Sequence, residues 1–286
     1  MTTDTTGAAD TAGAADAAGS TRPTGAAGQP PTTDVDLATR LVVEAGALAR
    51  RLRETGLDVE HKTSVSDVVT EADRAAEARI TELLAAHRPE DGVLGEEGTL
   101  VATTGSAGLG RRGVVDPVDG TYNIVSGSDY WCSAVALTGD DDYLLGAVHR
   151  PATGETFVGG SEVPTRRNGV PVTPLEPGDL AAGCLATYLH PPFLADPDLA
   201  EPFHRVANGA ATMRMLGSGS VDLASVACGV HTVWCQHSCP EWDWLPGRAL
   251  VEGAGGVCAS VEVNGYDWFV AGRPRAVDQA VELLRG

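Results

Sequence analysis

Residues 114–121 read Val114-Val115-Asp116-Pro117-Val118-Asp119-Gly120-Thr121. The valines continue from Gly113 as a short buried strand, and that strand runs straight into two carboxylates three positions apart. Pro117 stiffens the link between Asp116 and Asp119, and Val118 offers a backbone carbonyl between them. Gly120 lets the chain turn tightly, and Thr121 adds a hydroxyl that can orient a water. Alone, such a run is usually a solvated turn. Its neighbours in the sequence argue otherwise.

Two further acidic clusters have the same setting. Gly95-Glu96-Glu97-Gly98 follows the strand-like Val93-Leu94, and Trp242-Asp243-Trp244 opens a helix. By itself the glutamate pair reads as solvated loop charge, and Asp243 as a helix cap. Three carboxylate clusters, each placed where an apolar strand or aromatic anchor ends, make a different pattern. Carboxylates held side by side repel one another unless a cation joins them, and hard oxygen donors of this kind suit Mg²⁺.

Working outward, the spacing of Leu37, Leu41, Val42, Ala45, Leu48 and Leu52 predicts an amphipathic helix over 34–55, stopped at Gly56. Thr70-Glu71-Ala72-Asp73 resembles a capping box and starts a second helix, which ends before Pro89. Strand-like runs at 130–138, 144–149 and 155–158 follow, separated by turn residues. Beyond about residue 176 strands and helices alternate, with helices expected over 220–228, 244–253 and 274–284. The expected organisation is a tail over 1–33, an N-terminal α+β subdomain over 34–176 and a C-terminal α/β subdomain over 177–286 that carries Asp243. Residues 1–33 contain no Leu, Ile, Val, Phe, Trp or Tyr, so the tail is expected to be disordered.

The chain has 286 residues and a formal net charge of −19. A field of that sign disfavours nucleic acid and anionic membranes as partners. It also repels anionic substrates unless something local reverses it. No apolar run is long enough to span a bilayer, and the start of the chain lacks a secretory pattern, which points to the cytoplasm. The six cysteines are too sparse for a disulfide scaffold. Cys235-Gln236-His237-Ser238-Cys239 has no second pair at zinc-finger spacing. No G-x-S-x-G or P-loop occurs and no G-x-G-x-x-G follows a strand, which argues against a covalent hydrolase and a nucleotide-binding fold.

The segments 67–73 (Asp67-Val68-Val69-Thr70-Glu71-Ala72-Asp73), 95–97, 116–123 and 242–243, with Glu252-Gly253-Ala254-Gly255-Gly256 after them, together resemble the inositol monophosphatase family. This family belongs to the wider Mg²⁺-dependent, lithium-sensitive phosphatase superfamily, and the likeness spans about residues 36–284. It implies an α-β-α-β-α layered sandwich with two subdomains, of the inositol-monophosphatase and sugar-phosphatase type, and a homodimer. Glu96, Asp116 and the Val118 carbonyl would hold one Mg²⁺, and Asp116, Asp119 and Asp243 a second. Glu96 would reach a third ion through water. Asp67 and Thr70 would support Thr121 and the attacking water, so Glu96, Thr121, Asp67 and Thr70 are the expected catalytic residues.

On the substrate side the resemblance implies contacts from Asp119, Gly120, Thr121, Gly217, Ser218, Gly219, Gln236 and Asp243. The run 216–220 also reads simply as a strand-to-helix turn with a serine cap. Gln236 stands where inositol monophosphatases commonly carry a glutamate that grips inositol hydroxyls. An amide still bonds hydroxyls, both donating and accepting. Trp244 replaces a small residue of the family and is expected in the core. The function implied is a phosphomonoesterase acting on a small polyol phosphate, foremost inositol monophosphate. Histidinol phosphate, fructose 1,6-bisphosphate and 3′-phosphoadenosine 5′-phosphate are the alternative substrates, and a non-catalytic interaction protein on the same fold is the alternative class.

Overall fold

The structure is a computed structural model that describes residues 33–57, 59–61, 68–104, 110–140 and 142–286. The expected tail, apart from Thr33, and Asp67 lie outside the described residues. In chain order the elements begin with α1 (Asp34–Thr55), β1 (Val59–His61), β2 (Val68–Thr70), α2 (Glu71–His87), β3 (Gly92–Gly95), β4 (Leu100–Val101), β5 (Arg112–Asp119) and α3 (Thr121–Ser126). An antiparallel meander follows: β6 (Cys132–Thr138), β7 (Leu144–Arg150), β8 (Glu155–Gly160), β9 (Val163–Arg167) and β10 (Val170–Pro171). The remainder is β11 (Cys184–Thr187), α4 (Pro197–Gly209), β12 (Thr212–Arg214), α5 (Gly219–Ala227), β13 (Val233–His237), α6 (Glu241–Gly253), β14 (Val257–Val263), β15 (Tyr266–Gly272) and α7 (Pro274–Arg285).

Five layers result. α1 and α2 cover one face of the eight-stranded sheet, ordered β10-β9-β8-β7-β6-β5-β3-β4, through Leu37, Leu41, Ile80 and Leu84 against Val115, Val135 and Leu145. α5 and α6 form the middle layer, packed on the other face of that sheet and on the five-stranded sheet β12-β11-β13-β15-β14. α4 and α7 close the outer face of the second sheet through Leu199, Phe203, Val277 and Leu284. This is the α-β-α-β-α order expected from the sequence.

α1 spans the residues that the apolar spacing predicts, and Gly56 follows it with φ of 99°. α2 starts with a complete capping box between Thr70 and Asp73. α4, like the short α3, is a helix that the sequence reading passes over. Pro197 and Pro202 hide it, the first sitting harmlessly in the opening turn and the second inside the helix.

Small residues let α6 lie directly on the first sheet. A methyl group added at Gly146 on β7 would come within 2.1 Å of the Pro246 carbonyl oxygen and 2.8 Å of Ala249 Cβ. Trp244 is buried, as expected, stacked on Trp234 with centroids 5.6 Å apart.

Candidate active site

The site grows out of an irregularity in β5. Along β5 and β6, Asp116 pairs with Ala134 and Asp119 with Cys132, so β5 carries one extra residue between them. A regular strand would send residues three apart to opposite faces; the bulge returns them to the same face. Pro117 sits in that bulge, where no ladder donor is needed, and its carbonyl accepts the Ser133 hydroxyl at 2.6 Å. Both aspartates therefore face the middle helical layer. β3 runs parallel to β5 and ends at Gly95, and the Glu96 N–H donates to the Val115 carbonyl at 3.1 Å. This brings the second acidic cluster alongside the first.

Asp116 is 1% exposed, and its Oδ1 has no hydrogen-bond partner. Burial raises its pKa well above the usual carboxylate range. Repulsion from Glu96, Asp119 and Asp243 raises it further, as does a hydrogen bond with Glu96 that needs a shared proton. The charges of Glu96, Asp119 and Asp243 thus all reach the buried Asp116 carboxylate. Asp119 Oδ2 accepts the Ser220 N–H at 2.5 Å and the Ser218 hydroxyl at 3.0 Å. Burial raises the Asp119 pKa, and these donors from the start of α5 oppose that rise. Ser218 occupies the N-cap position of α5, but its side chain makes no cap bond to that helix, so Asp119 on β5 does the side-chain capping through the Ser220 N–H. The buried Cys132 thiol lies 3.9 Å from the same oxygen.

Among the described residues, no three His, Cys, Asp and Glu side chains form a ready-made metal cage. The donor set nevertheless fits a hard divalent cation. It consists of oxygens only, it includes a buried oxygen that nothing else satisfies, and the repulsion within it falls when positive charge arrives.

Thr121 opens α3, and its hydroxyl lies 2.8 Å from Asp73 Oδ1 and 3.0 Å from the Val118 carbonyl. Asp73 Oδ2 accepts the Thr70 N–H at 2.8 Å and the Thr70 hydroxyl at 2.5 Å. Burial pushes the Asp73 pKa up, and the bonds from Thr70 and Thr121 work against it. The sequence reading assigned support of Thr121 to Asp67 and Thr70. Asp67 lies outside the described residues, and Thr70 bonds Asp73 while Asp73 meets Thr121. Asp73 lies within the 67–73 segment, and its capping-box position accounts for it fully and hides its bond to Thr121.

Glu77, one helical turn after Asp73, also escaped the sequence reading. It is buried, and its two carboxylate oxygens accept the Glu97 N–H at 2.8 Å and the Thr99 N–H at 3.1 Å. Gly95 leaves room for it: an added Cβ there would stand 2.4 Å from the Glu77 carboxyl. One face of α2 thus holds both the Thr121 hydroxyl and the loop carrying Glu96.

The other side of the site is built by the loop between β12 and α5. The Asn123 side-chain amide on α3 reaches the carbonyls of Leu216 at 2.8 Å, Gly217 at 3.2 Å and Tyr130 at 2.7 Å. Gly120 has φ of 98°, and an added Cβ would stand 3.2 Å from the Gly217 carbonyl oxygen. Gly217, Ser218 and Gly219 therefore border the Asp119–Thr121 turn. Gln236 lies on β13 opposite Phe269 on β15, in the second sheet. Behind this wall the Tyr130 phenol donates to Asp222 Oδ1 at 2.6 Å, and burial raises the Asp222 pKa to about 7.

A family model described as the inositol monophosphatase family matches residues 32–281. An inositol monophosphatase of Mesembryanthemum crystallinum is 31% identical over 264 residues, covering 88% of this chain and 94% of the relative. A histidinol-phosphatase of Chlorobaculum parvum is 30% identical over 228 residues, covering 79% and 85%. The solved structure of the extragenic suppressor protein suhB from Bartonella henselae superposes with a TM-score of 0.76 at 24% identity, covering 87% of this chain and 96% of that one, and so shares the fold.

Proposed function

Because this chain belongs to the inositol monophosphatase family and is on that ground a phosphoric monoester hydrolase, we propose that it removes phosphate from a small polyol phosphate, foremost inositol monophosphate, with Mg²⁺ as cofactor. The observation that carries the metal reading is the buried, unpartnered Asp116 oxygen facing three other carboxylates.

Glu96, Asp116 and the Val118 carbonyl would hold one Mg²⁺, and Asp116, Asp119 and Asp243 a second, with Glu96 reaching a third ion through water. When bound, Mg²⁺ supplies charge neutralisation of the ester and acidification of water, which a chain of charge −19 otherwise lacks. The protein's own part starts at Thr121. Its hydroxyl donates to Asp73 and so keeps its lone pairs free to accept a hydrogen bond from, and thereby aim, the attacking water. Thr70 holds Asp73 in place. The Gly120 and Thr121 N–H groups are proposed to meet the phosphate. Gly217, Ser218, Gly219 and Gln236 are proposed to meet the leaving alcohol, with Asp119 and Asp243 accepting from its hydroxyls.

The family resemblance also supports lithium inhibition, a homodimer and a cytoplasmic setting. Among the described residues no helix is long and apolar enough to cross a membrane. The deciding experiment is phosphate release by the purified chain from inositol monophosphate, histidinol phosphate, fructose 1,6-bisphosphate and 3′-phosphoadenosine 5′-phosphate, with Mg²⁺ and with excess EDTA. Fastest turnover of inositol monophosphate, lost in EDTA, is expected. Undiminished turnover in EDTA would remove the metal from the mechanism.

A further inference from the structure

The turn that carries Glu96 has little sheet around it. It joins β3 to β4, and β4 is a two-residue strand at the edge of the sheet, with Leu100 79% exposed. Every backbone N–H of the turn is nevertheless satisfied. Gly95 donates to the Thr99 carbonyl at 2.8 Å, Glu96 to Val115 at 3.1 Å and Gly98 to Gly95 at 3.4 Å. The other two, Glu97 and Thr99, both donate to the Glu77 carboxylate on α2, at 2.8 Å and 3.1 Å. Glu96 therefore stands in a turn tied to β5 on one side and to α2 on the other.

Only an acid does this at position 77. The side chain is 3% exposed, and each of its two oxygens takes one backbone N–H. A glutamine there has a single acceptor oxygen, and its NH₂ group would face a backbone N–H, donor against donor. Burying a carboxylate is costly, and hydrogen bonds to the charged form offset that cost. β3 makes the room: a Cβ added at Gly95 would overlap the Glu77 carboxyl at 2.4 Å. The Gly95 backbone lies outside the left-handed region, so space and not conformation requires glycine at this point.

We infer that Glu77 is a positioning residue for Glu96. It clamps the turn before any cation arrives and so sets the affinity of the Mg²⁺ site proposed for Glu96. The inference rests on the metal reading under the proposed function. A ligand already in place need not be ordered when the ion binds, and the ordering cost avoided appears as affinity. Without the Glu77 bonds, two N–H groups of the turn lose their partners and Glu96 has to be gathered from many positions.

The test measures Mg²⁺ binding itself, by isothermal titration calorimetry on the full chain without substrate. Glu77→Gln should weaken binding roughly 10–100-fold, the range found when a residue that orients a metal ligand is changed. Gly95→Ala, which pushes the Glu77 carboxyl off the turn, should weaken it to a similar extent. Glu96→Gln supplies the reference, because it removes the ligand to be positioned. Adding Glu77→Gln to it should change the remaining affinity by less than about twofold. In the single variants the Mg²⁺ concentration for half-maximal phosphate release should move with the binding constant. Wild-type affinity in both single variants, or losses that multiply in the double variant, overturns the assignment and leaves the metal reading standing. Loss of the folded state in both single variants overturns it too, since Glu77 would then support the whole fold and not one ligand. No Mg²⁺ binding by the wild-type chain overturns the metal reading and the assignment with it.

Discussion

Thr121 Oγ1 lies 2.8 Å from Asp73 Oδ1, joining the first turn of α3 to the first turn of α2 across 48 residues of chain. The bond fixes the direction of the threonine lone pairs, and with them, in the proposed mechanism, the position of the attacking water. Asp73→Asn keeps an oxygen for the Thr70 N–H but can present an amide N–H toward Thr121, which turns the hydroxyl round. Turnover is expected to fall roughly 10²–10⁴-fold with little change in KM. Thr121→Val should cost about as much, and the double variant little more than either single one. Independent, multiplicative losses in the double variant would separate the two residues.

Asp116→Asn should change the protein with and without metal in opposite directions. Buried like charges destabilise the cation-free cluster, so removing one raises the thermal midpoint measured in EDTA. The same change withdraws a ligand from both proposed Mg²⁺ sites. The upward shift of the midpoint on adding Mg²⁺, expected for the wild type, should then shrink or vanish along with turnover. Equal Mg²⁺-induced shifts in the two proteins would remove Asp116 from the binding set.

Asp222 gives stability a pH dependence. Burial raises its pKa from 3.8 to about 7, the Tyr130 bond opposing and the Asp119 charge adding. Between those values the unfolded chain has released the proton while the folded chain keeps it. Stability therefore falls as pH rises through this window and levels off once both states are ionised. Its neighbour His231, 3.9 Å away, has its own pKa lowered by burial. Asp222→Asn removes the slope. Relative to wild type, the variant should gain on the order of 1–4 kcal/mol between about pH 5 and about pH 8 in urea titrations. A difference that does not vary with pH would show that Asp222 is ionised throughout.

Gly146→Ala tests the packing of α6. The added methyl group meets the Pro246 carbonyl at 2.1 Å, a backbone atom that cannot swing away. A loss of about 1–3 kcal/mol in unfolding free energy is expected, with a larger loss of activity than stability alone explains, because α6 carries Asp243. A variant with unchanged stability and turnover would mean that α6 shifts freely.

Much of this was readable in the sequence because local chemistry and tertiary role coincide. The strand-then-carboxylate pattern at Val115–Asp116 marks both a buried ladder and its acidic end, whereas Pro117 reads in the sequence only as a stiff link and shows its place in a bulge only in the fold. What stayed hidden depends on partners far along the chain. Asp73 satisfies a helix cap and so shows no unmet need until Thr121 arrives beside it. Glu77 looks like one more polar residue of α2, and only the fold buries it under the 95–99 loop. α4 stayed hidden for a local reason, since Pro202 is a poor helix residue and the apolar face around it outweighs that penalty.

α6 touches both sheets, packing against β5, β6, β7 and β8 on one side and against β14 and β15 on the other. Asp243, in its first turn, is therefore riveted to the same frame as Asp116 and Asp119. A cleft enzyme whose ligands come from two halves ordinarily needs a hinge to bring them together; here the shared middle helix leaves no hinge axis between them. The carboxylates proposed to hold cations thus share one frame, and the loop around 216–220, tied to α3 through Asn123, is the part proposed to shape access to them. Evolutionary change in what the enzyme accepts can then proceed in that loop while the proposed cation-binding frame stays as it is.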